Sequence, residues 1–286
     1  MKKTLLIHLH LYYIDQLDYF IEKLSNIQSV SYDLYITMVE KNDAVEQKIL
    51  SRFPNANILI VPNKGYDVGP FIHVLNNVDI DSYDYVLKIH TKNTILNNGD
   101  KINGVWISRK CWMPLLVEAL IGTPKIFADN IKKFENNEKI GMIGSKHLVT
   151  SSTDSYTNIL DKVNDTIKSL GFSIPKKLTF VAGTMFMMRS SLLKPIIKAG
   201  YNIDSFEPTG KISQGNALAH VFERVFGALV TLQNKKIFPQ KNDIFSVLFM
   251  NACRCYHFLY SKKTTKNNHT IIKICKIPVY RKLRNI

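Results

Sequence analysis

The chain of 286 residues lacks several features that would assign it to a familiar class. No run of 18 apolar residues occurs, so we expect no transmembrane helix. The apolar residues 4–7 are followed by His8 and His10 and by no small-residue cleavage site, which predicts a first β-strand rather than a signal peptide. Hydrophobic residues at 45% and charged residues at 21% are typical of a soluble globular protein, which we expect to be cytoplasmic.

Metal and nucleic-acid signatures are also missing. The spacing of Cys111, Cys253, Cys255 and Cys275 fits no metal site, so we expect reduced thiols, no bound metal and no cofactor. The glycine spacing matches neither a P-loop nor a dinucleotide fingerprint. No RNP, KH or zinc-finger pattern occurs, and we expect no nucleic-acid partner.

Acidic residues are scarce near the end of the chain, and the net charge is +15. Between Lys262 and Arg284 there are eight Lys or Arg residues and no acid. Apolar side chains such as Ile271, Ile272 and Ile274 lie among these cations. Three interpretations stay open, namely a segment lying on an anionic membrane, a nucleic-acid tail and a disordered solubilising tail. The apolar content favours the membrane.

Apolar periodicity alternates between strand and helix along the chain, which predicts an α/β fold with a mainly parallel sheet. We predict strands at residues 4–11, 32–37, 56–61, 85–90, 140–144 and 180–189. We predict helices at residues 15–24, 42–53, 70–75, 104–121, 125–136, 190–197 and 217–230. Residues 93–103 are polar and turn-rich and form a loop near the site, and the polar residues 145–171 are interpreted as a lid or insertion.

A glycine-punctuated loop at residues 63–70 separates a strand from a helix. Gly65 and Gly69 permit positive φ or close approach of a ligand. Pro70 suits the first turn of a helix, whose free N–H groups favour an anion such as phosphate. Asp67 is the acid of the loop, and it either contacts a ligand or caps the helix. A loop without a ligand is the alternative.

The strand at residues 85–90 carries cationic groups toward its carboxyl end. Lys88, His90 and Lys92 alternate along one side because strand side chains repeat every two residues. Cations gathered there are costly unless they meet an anion, and the carboxyl ends of strands are where open α/β sheets bind ligands. The hypothesis is an anion site; the alternative is a strand with a solvated basic end.

Six sequence blocks occur in the order typical of one family, at residues 8–13, 63–71, 88–92, 141–144, 182–186 and 218–224. Over roughly residues 4–230 the chain thereby resembles the rhamnan synthesis protein F family of bacterial polysaccharide glycosyltransferases. The resemblance implies a GT-A-like fold and transfer of rhamnose or galactofuranose during assembly of cell-surface glycans. It also implies a nucleoside-diphosphate sugar as donor.

The resemblance implies two sets of binding residues. Donor-binding residues are expected at His10, Tyr12, Asn63, Gly65, Asp67, Gly69, Lys88, His90, Thr91 and Lys92. Acceptor-binding residues are expected at Gly183, Thr184, His220 and Arg224. GT-A enzymes usually have Asp-x-Asp, which binds a metal, where this chain has Lys88 and His90. Because fixed cations can stabilise a leaving diphosphate, we expect a metal-independent enzyme.

An inverting transferase needs a group that deprotonates the acceptor hydroxyl. Many family members have Asp-Gly-Thr where this chain has Gln214, which cannot act as a base. Glu207 and Glu223 are the remaining candidates, with Asp67 third. His220, Glu223 and Arg224 share one helical face, which indicates either a polar site or an ordinary surface network.

The prediction is therefore a GT-A-like domain at residues 1–240, with a nucleotide-sugar half at 1–95 and an acceptor half at 96–240, followed by a basic amphipathic segment at 241–286. The predicted function is transfer of a sugar to a lipid-linked glycan, such as an O-antigen or capsule precursor. The reaction would occur at the inner face of the cytoplasmic membrane. A catalytically inactive glycan-binding relative and a basic nucleic-acid-binding protein are the alternatives.

Overall fold

The computed structural model describes residues 4–95, 98–152, 157–210, 217–264 and 269–283. Its strands are β1 (Thr4–His10), β2 (Ser31–Met38), β3 (Asn57–Ile60), β4 (Tyr85–His90), β5 (Gly99–Ile102), β6 (Val105–Ser108), β7 (Ile140–Ser145), β8 (Val149–Ser152), β9 (Leu178–Val181), β10 (Phe186–Arg189), β11 (Lys236–Gln240), β12 (Tyr260–Thr264), β13 (His269–Ile274) and β14 (Ile277–Leu283). Its helices are α1 (Leu17–Leu24), α2 (Asp43–Arg52), α3 (Val68–Asn76), α4 (Arg109–Ile121), α5 (Pro124–Asn136), α6 (Thr157–Ser169), α7 (Lys194–Lys198), α8 (Leu218–Leu232) and α9 (Ile244–Leu259).

Seven strands form the central sheet in the order β11-β7-β10-β4-β1-β2-β3. The neighbouring pairs are parallel except that β10 runs antiparallel to both β4 and β7. Strand β4 is buried along its whole length because helices cover both faces of the sheet. The predicted α/β fold with a mainly parallel central sheet is confirmed.

The core continues from the sheet into α3, α4 and α8, most of whose residues are buried. Phe71, Phe186 and Phe226 meet as a cluster of edge-on and tilted rings in this core. Helix α8 packs on β9, with Gly227 against the Phe180 backbone. These helices fix the residues that follow β3 and β4, where the site lies.

Two boundaries differ from the sequence prediction. The helix predicted for residues 104–121 begins at Arg109, because residues 105–108 form β6 and pair with β5. Asn103 and Gly104 have φ of 50° and 77° and supply the two-residue hairpin turn, which helical periodicity does not detect. Ser108 then caps α4 by accepting a hydrogen bond from the Lys110 amide.

The single strand predicted for residues 180–189 is two strands, β9 and β10, with a turn at Gly183 and Thr184. Both turn residues have positive φ, 93° and 52°. The described parts of the polar stretch 145–171 contain β8 and α6, and β8 pairs with β9. This stretch is therefore partly built into the fold beside the turn.

The chain ends with α9 and a three-stranded antiparallel sheet, β12-β13-β14. Helix α9 packs on α4 and β6. In the part of the chain that the structure describes, no single helix is long and apolar enough to cross a membrane. Helices α4 and α5 meet that test of length and composition together, with a 65° bend between them. The division of the chain at residue 240 stays a prediction.

Candidate active site

A cavity of about 740 Å³ opens beyond the carboxyl ends of β3 and β4. Its walls come from the loop before α3, the residue Lys92 after β4, the β5–β6 hairpin, the start of α4, β8, the β9–β10 turn and the first half of α8. This is the edge of the sheet at which parallel α/β folds bind ligands. Seven predicted site residues line the cavity, namely Asp67, Lys92, Gly183, Thr184, His220, Glu223 and Arg224.

Asp67 is the centre of a buried polar cluster beside the cavity. Its Oδ2 accepts hydrogen bonds from Lys88 Nζ and from the Thr184 hydroxyl. His90 Nδ1 lies 3.6 Å from the same oxygen, and Lys88 Nζ also donates to the Thr184 carbonyl at 3.1 Å. The Asp67 side chain makes no capping bond to α3, so the capping interpretation is wrong.

The charge of Asp67 is fixed by its neighbours. Burial opposes ionisation, but the positive charges of the neighbouring Lys88 and Lys92 outweigh it and hold the pKa of Asp67 well below its usual range. Burial lowers the pKa of the His90 ring far enough that it is neutral at pH 7, so the two lysines carry the effect. Asp67 is therefore ionised at neutral pH and is a weak base.

Lys88 and His90 lie one layer behind the cavity rather than in it. The Lys88 side chain is fully buried and the His90 side chain is 3% exposed, whereas the Asp67 side chain is 18% exposed. Strand pairing explains this, since Lys88 and His90 are in register with His8 and His10 of the buried strand β1. Lys88 and His90 were expected to contact a diphosphate, but in this geometry Asp67 lies between their side chains and the cavity.

The glycine loop serves packing rather than anion binding. The amides of Val68 and Gly69 both donate to the Gly65 carbonyl at 3.0 Å, so the start of α3 has no free N–H at these two residues for a phosphate. Gly65 has φ of 69°, and a Cβ there would lie 2.6 Å from the Phe206 ring. The space beside Gly65 is thus filled by a side chain, and the phosphate prediction at this helix start is not supported.

Four other predicted donor residues lie outside the cavity wall. Thr91 accepts hydrogen bonds from the Tyr12 and Tyr13 amides, both at 2.9 Å, and so holds the loop after β1. Tyr12 itself is exposed, and the buried His10 shares the Thr37 hydroxyl with His8. The Asn63 carbonyl accepts from the Thr209 amide at 3.0 Å. These residues shape the edge beside the cavity.

The acceptor side is a buried polar network on α8. Glu223 Oε1 accepts a hydrogen bond from the Gly183 amide at 2.6 Å, and Glu223 Oε2 accepts one from Arg224 Nη1 at 2.7 Å. Arg224 Nη1 also donates to the His220 carbonyl at 2.8 Å, and its guanidinium lies over the Phe180 ring. The side chains of Glu223 and Arg224 are 16% and 6% exposed, so the surface-network interpretation is wrong.

His220 faces the cavity with a neutral ring. Burial lowers its pKa, and the nearby Glu223 carboxylate offsets part of that effect. The ring lies 5.4 Å from that of Tyr66, and its buried Nδ1 has no hydrogen-bond partner among the described residues. A neutral imidazole with an unengaged nitrogen can accept a proton at neutral pH.

Glu207, the first candidate for the catalytic base, has a structural role instead. Its Oε2 accepts a hydrogen bond from the Leu218 amide at 3.0 Å, which caps α8, and its carbonyl accepts one from the Gly65 amide. Glu207 does not line the cavity. Gln214 lies outside the described residues.

Two further residues of the cavity wall, Arg109 and Trp112, are not among the site residues predicted from the sequence. Lys92 Nζ and the Arg109 guanidinium lie 5.4 and 5.7 Å from the centre of the Trp112 ring, and all three residues line the cavity. Arg109 Nη2 also bonds Asp100 Oδ2 at 2.9 Å. The spacing of Arg109 and Trp112, three apart at a helix start after a turn-rich loop, is the signal that could have found them.

Among the residues that the structure describes, no group of three or more His, Cys, Asp or Glu side chains could hold a metal ion. The cations on the cavity wall are Lys92, Lys101, Arg109 and Arg224, and the acids are Asp67, Asp100 and Glu223. The cavity can thus bind a ligand that has both anionic groups and hydroxyls.

The family model described as Rhamnan synthesis protein F matches residues 1–235 of the chain. Among curated proteins, "Uncharacterized protein WxcX" from Xanthomonas campestris pv. campestris strain B100 is 25% identical over 232 residues, and the match covers 80% of this chain. The same protein from strain ATCC 33913 matches equally. The chain spans 32% of the length of these relatives.

Two solved structures are similar to this chain, each at 11% sequence identity. "Crystal structure of S. aureus TarS 1-349" has a TM-score of 0.42, with 84% of this chain and 58% of that chain covered. The glucosyl-3-phosphoglycerate synthase of Mycobacterium tuberculosis, in complex with Mn2+, uridine-diphosphate and glucosyl-3-phosphoglycerate, has a TM-score of 0.36, with 98% and 89% covered. Both likenesses are too distant to assign residues or activity.

Proposed function

Since the chain belongs to the rhamnan synthesis protein F family, we propose that it is a glycosyltransferase that builds a bacterial surface polysaccharide. The donor is a nucleoside-diphosphate sugar of the rhamnose or galactofuranose type, and the acceptor is a lipid-linked glycan at the cytoplasmic face of the membrane. The observation that carries the proposal is the cavity, whose wall combines the ionised Asp67, the neutral His220 and the cations Lys92, Lys101, Arg109 and Arg224.

On the donor side of the proposed site, different residues bind the sugar hydroxyls and stabilise the charge of the diphosphate. The ionised Asp67 accepts hydrogen bonds from sugar hydroxyls, and Lys88 supports it from behind. Lys92 and Arg109 stabilise the negative charge that grows on the leaving diphosphate. Metal independence is part of the proposal, and Lys92 and Arg109 supply the positive charge that a metal ion supplies elsewhere.

The proposed proton acceptor is His220. Glu207 lies outside the cavity wall, Asp67 is too weak a base, and both oxygens of Glu223 already accept hydrogen bonds. In an inverting transfer, the acceptor oxygen bonds to the anomeric carbon as the bond from that carbon to the diphosphate oxygen breaks. The hydroxyl proton passes to the His220 ring, and the diphosphate leaves with the electron pair.

The test is release of nucleoside diphosphate from thymidine-diphosphate rhamnose and from uridine-diphosphate galactofuranose, with lipid-linked glycan as acceptor and chelator present. We expect turnover with one donor and a fall of about 10²-fold or more in kcat for His220→Gln. Lys64→Ala, at an exposed ion pair, is the matched control and keeps full activity.

Failure of both donors to release diphosphate would overturn the proposal. Glycan binding without turnover would favour the catalytically inactive relative instead. Tight, steeply salt-dependent RNA binding without any response to donor would favour the nucleic-acid alternative.

A further inference from the structure

Helix α9 has two apolar stripes, and the protein covers one of them. Ser246, Met250 and Cys253 are buried and face α4 and β6. The opposite stripe is exposed, although it holds large apolar side chains, with Phe245 at 78% and Ile244 at 64% exposure. The exposed stripe consists of Ile244, Phe245, Leu248, Phe249, Tyr256 and Leu259. A surface helix normally presents polar residues there, so this stripe indicates a binding surface.

The stripe continues into the sheet that follows it. Exposed large apolar side chains also occur in β13, at Ile274, and in β14, at Ile277, Val279 and Tyr280. Of the 17 exposed large apolar side chains in the described residues, 11 lie between residues 244 and 280. The exposed apolar surface is therefore concentrated in one part of the chain.

The charge of this segment identifies the partner. Residues 241–286 contain ten Lys or Arg residues and one acid, Asp243, which gives a net charge of +9, whereas residues 1–240 contribute 28 − 22 = +6. We propose that the outer stripe of α9, together with the sheet β12-β13-β14, docks on an anionic lipid bilayer. The apolar side chains enter the headgroup region, and the exposed Lys273 and Lys276 meet acidic headgroups.

Other occupants fit this surface less well. A second copy of the chain would bring two strongly cationic segments together, and like charges repel. A nucleic acid would satisfy the lysines but would leave the apolar stripe of α9 in water. An anionic bilayer is complementary to both features at once.

The docking surface is linked to the cavity by the β5–β6 hairpin. Asn103 and Gly104 at its turn line the cavity, whereas Trp106 on the same hairpin stacks on His257 of α9. The Trp106 and His257 ring centres are 3.9 Å apart and their planes differ by 12°. Docking would therefore hold the cavity beside the membrane, where a lipid-linked acceptor lies. This consequence rests on the proposed function, but the docking does not.

The test is co-sedimentation with vesicles of phosphatidylcholine alone and of an equal mixture of phosphatidylcholine and phosphatidylglycerol. We expect binding to the mixture that weakens with salt, and weak binding to phosphatidylcholine alone. The double variant Phe245→Glu, Leu248→Glu should bind the mixture about tenfold or more weakly. The matched control Ile60→Glu, Ile174→Glu, at exposed apolar sites elsewhere, should bind as the wild type does.

Three results would overturn docking. One is wild-type protein that stays in the supernatant with anionic vesicles, and another is a double variant that binds as tightly as wild type. The third is a wild-type protein that is a dimer by light scattering and does not bind vesicles, together with a double variant that is a monomer. Because the substituted side chains lie outside the cavity, donor hydrolysis in solution should be unchanged in the double variant. Failure of docking and failure of the proposed function thus appear in separate measurements.

Discussion

The buried ion pair of Lys88 and Asp67 makes a quantitative prediction about stability. Lys88 is fully buried, so Asp67→Asn leaves its ammonium in the interior without a counter-charge, where the Thr184 carbonyl still accepts one of its hydrogen bonds. Removal of one partner from a buried pair costs about 3–5 kcal/mol of unfolding free energy. Lys88→Met removes the charge that needs a partner and leaves Asp67, which is 18% exposed and keeps the Thr184 hydroxyl, so we expect a smaller loss of about 1–3 kcal/mol.

The double variant Asp67→Asn, Lys88→Met should lose less stability than the sum of the two single variants, because no unpaired charge remains in the interior. Urea denaturation of the four proteins gives the coupling energy, which we expect to be about 2–3 kcal/mol. The same cycle with Lys64→Met and Asp204→Asn is the control. This pair has a 2.7 Å separation but side chains that are 31% and 75% exposed, and it should couple by less than about 1 kcal/mol.

A coupling energy near zero for Lys88 and Asp67 would refute the arrangement of the cluster. It would mean that each charge finds solvent or another partner, and that Lys88 is accessible from the cavity. The original expectation of direct contact between Lys88 and a diphosphate would then return.

Three further predictions concern neighbouring groups. Burial lowers the pKa of His10 to about 4, so between pH 6.5 and 4 the unfolded chain binds a proton at His10 that the native state does not bind. The contribution of His10 to stability is therefore full above pH 6.5 and falls as the pH drops from 6.5 to 4. In urea denaturation at a series of pH values, this fall should be smaller for His10→Gln than for the wild type. Gly183→Ala should lower stability by about 1–3 kcal/mol in thermal melts, since φ is 93° and the added Cβ would lie 2.9 Å from Leu116. Gly210→Ala, where φ is 83° but the space around the added Cβ is open, should lower stability less and isolates the steric contact. His220→Gln should remove the acidic limb of the kcat–pH profile while KM for the donor stays close to wild type.

The fold could be predicted because its signals are local. Strand and helix periods alternate through β1, α1, β2, α2 and β3, and each of these elements lies within a few residues of its predicted position. The helical spacing of His220, Glu223 and Arg224 likewise placed three cavity residues together. Both inferences depend on a repeat that is visible within one segment.

The roles within the site could not be predicted because they depend on tertiary pairing. Asp67 and Lys88 are 21 residues apart, and the register of β4 with β1 decides that Lys88 points into the core and meets Asp67 there. Thr184 reaches Asp67 from 117 residues away. The sequence alone indicated that these residues belong to one region. Whether each side chain lines the cavity or lies behind it is determined by tertiary packing.

The most direct test of the central claim is a thermal-shift screen of sugar nucleotides and free nucleoside diphosphates, run with manganese and with chelator. A ligand that binds the native state raises the melting temperature by mass action. The account predicts that one sugar nucleotide raises it in the presence of chelator, and that Arg109→Met, which alters the cationic wall of the cavity, weakens that shift. A shift that requires manganese would contradict the cationic site, and no shift with any sugar nucleotide would contradict the proposed function itself.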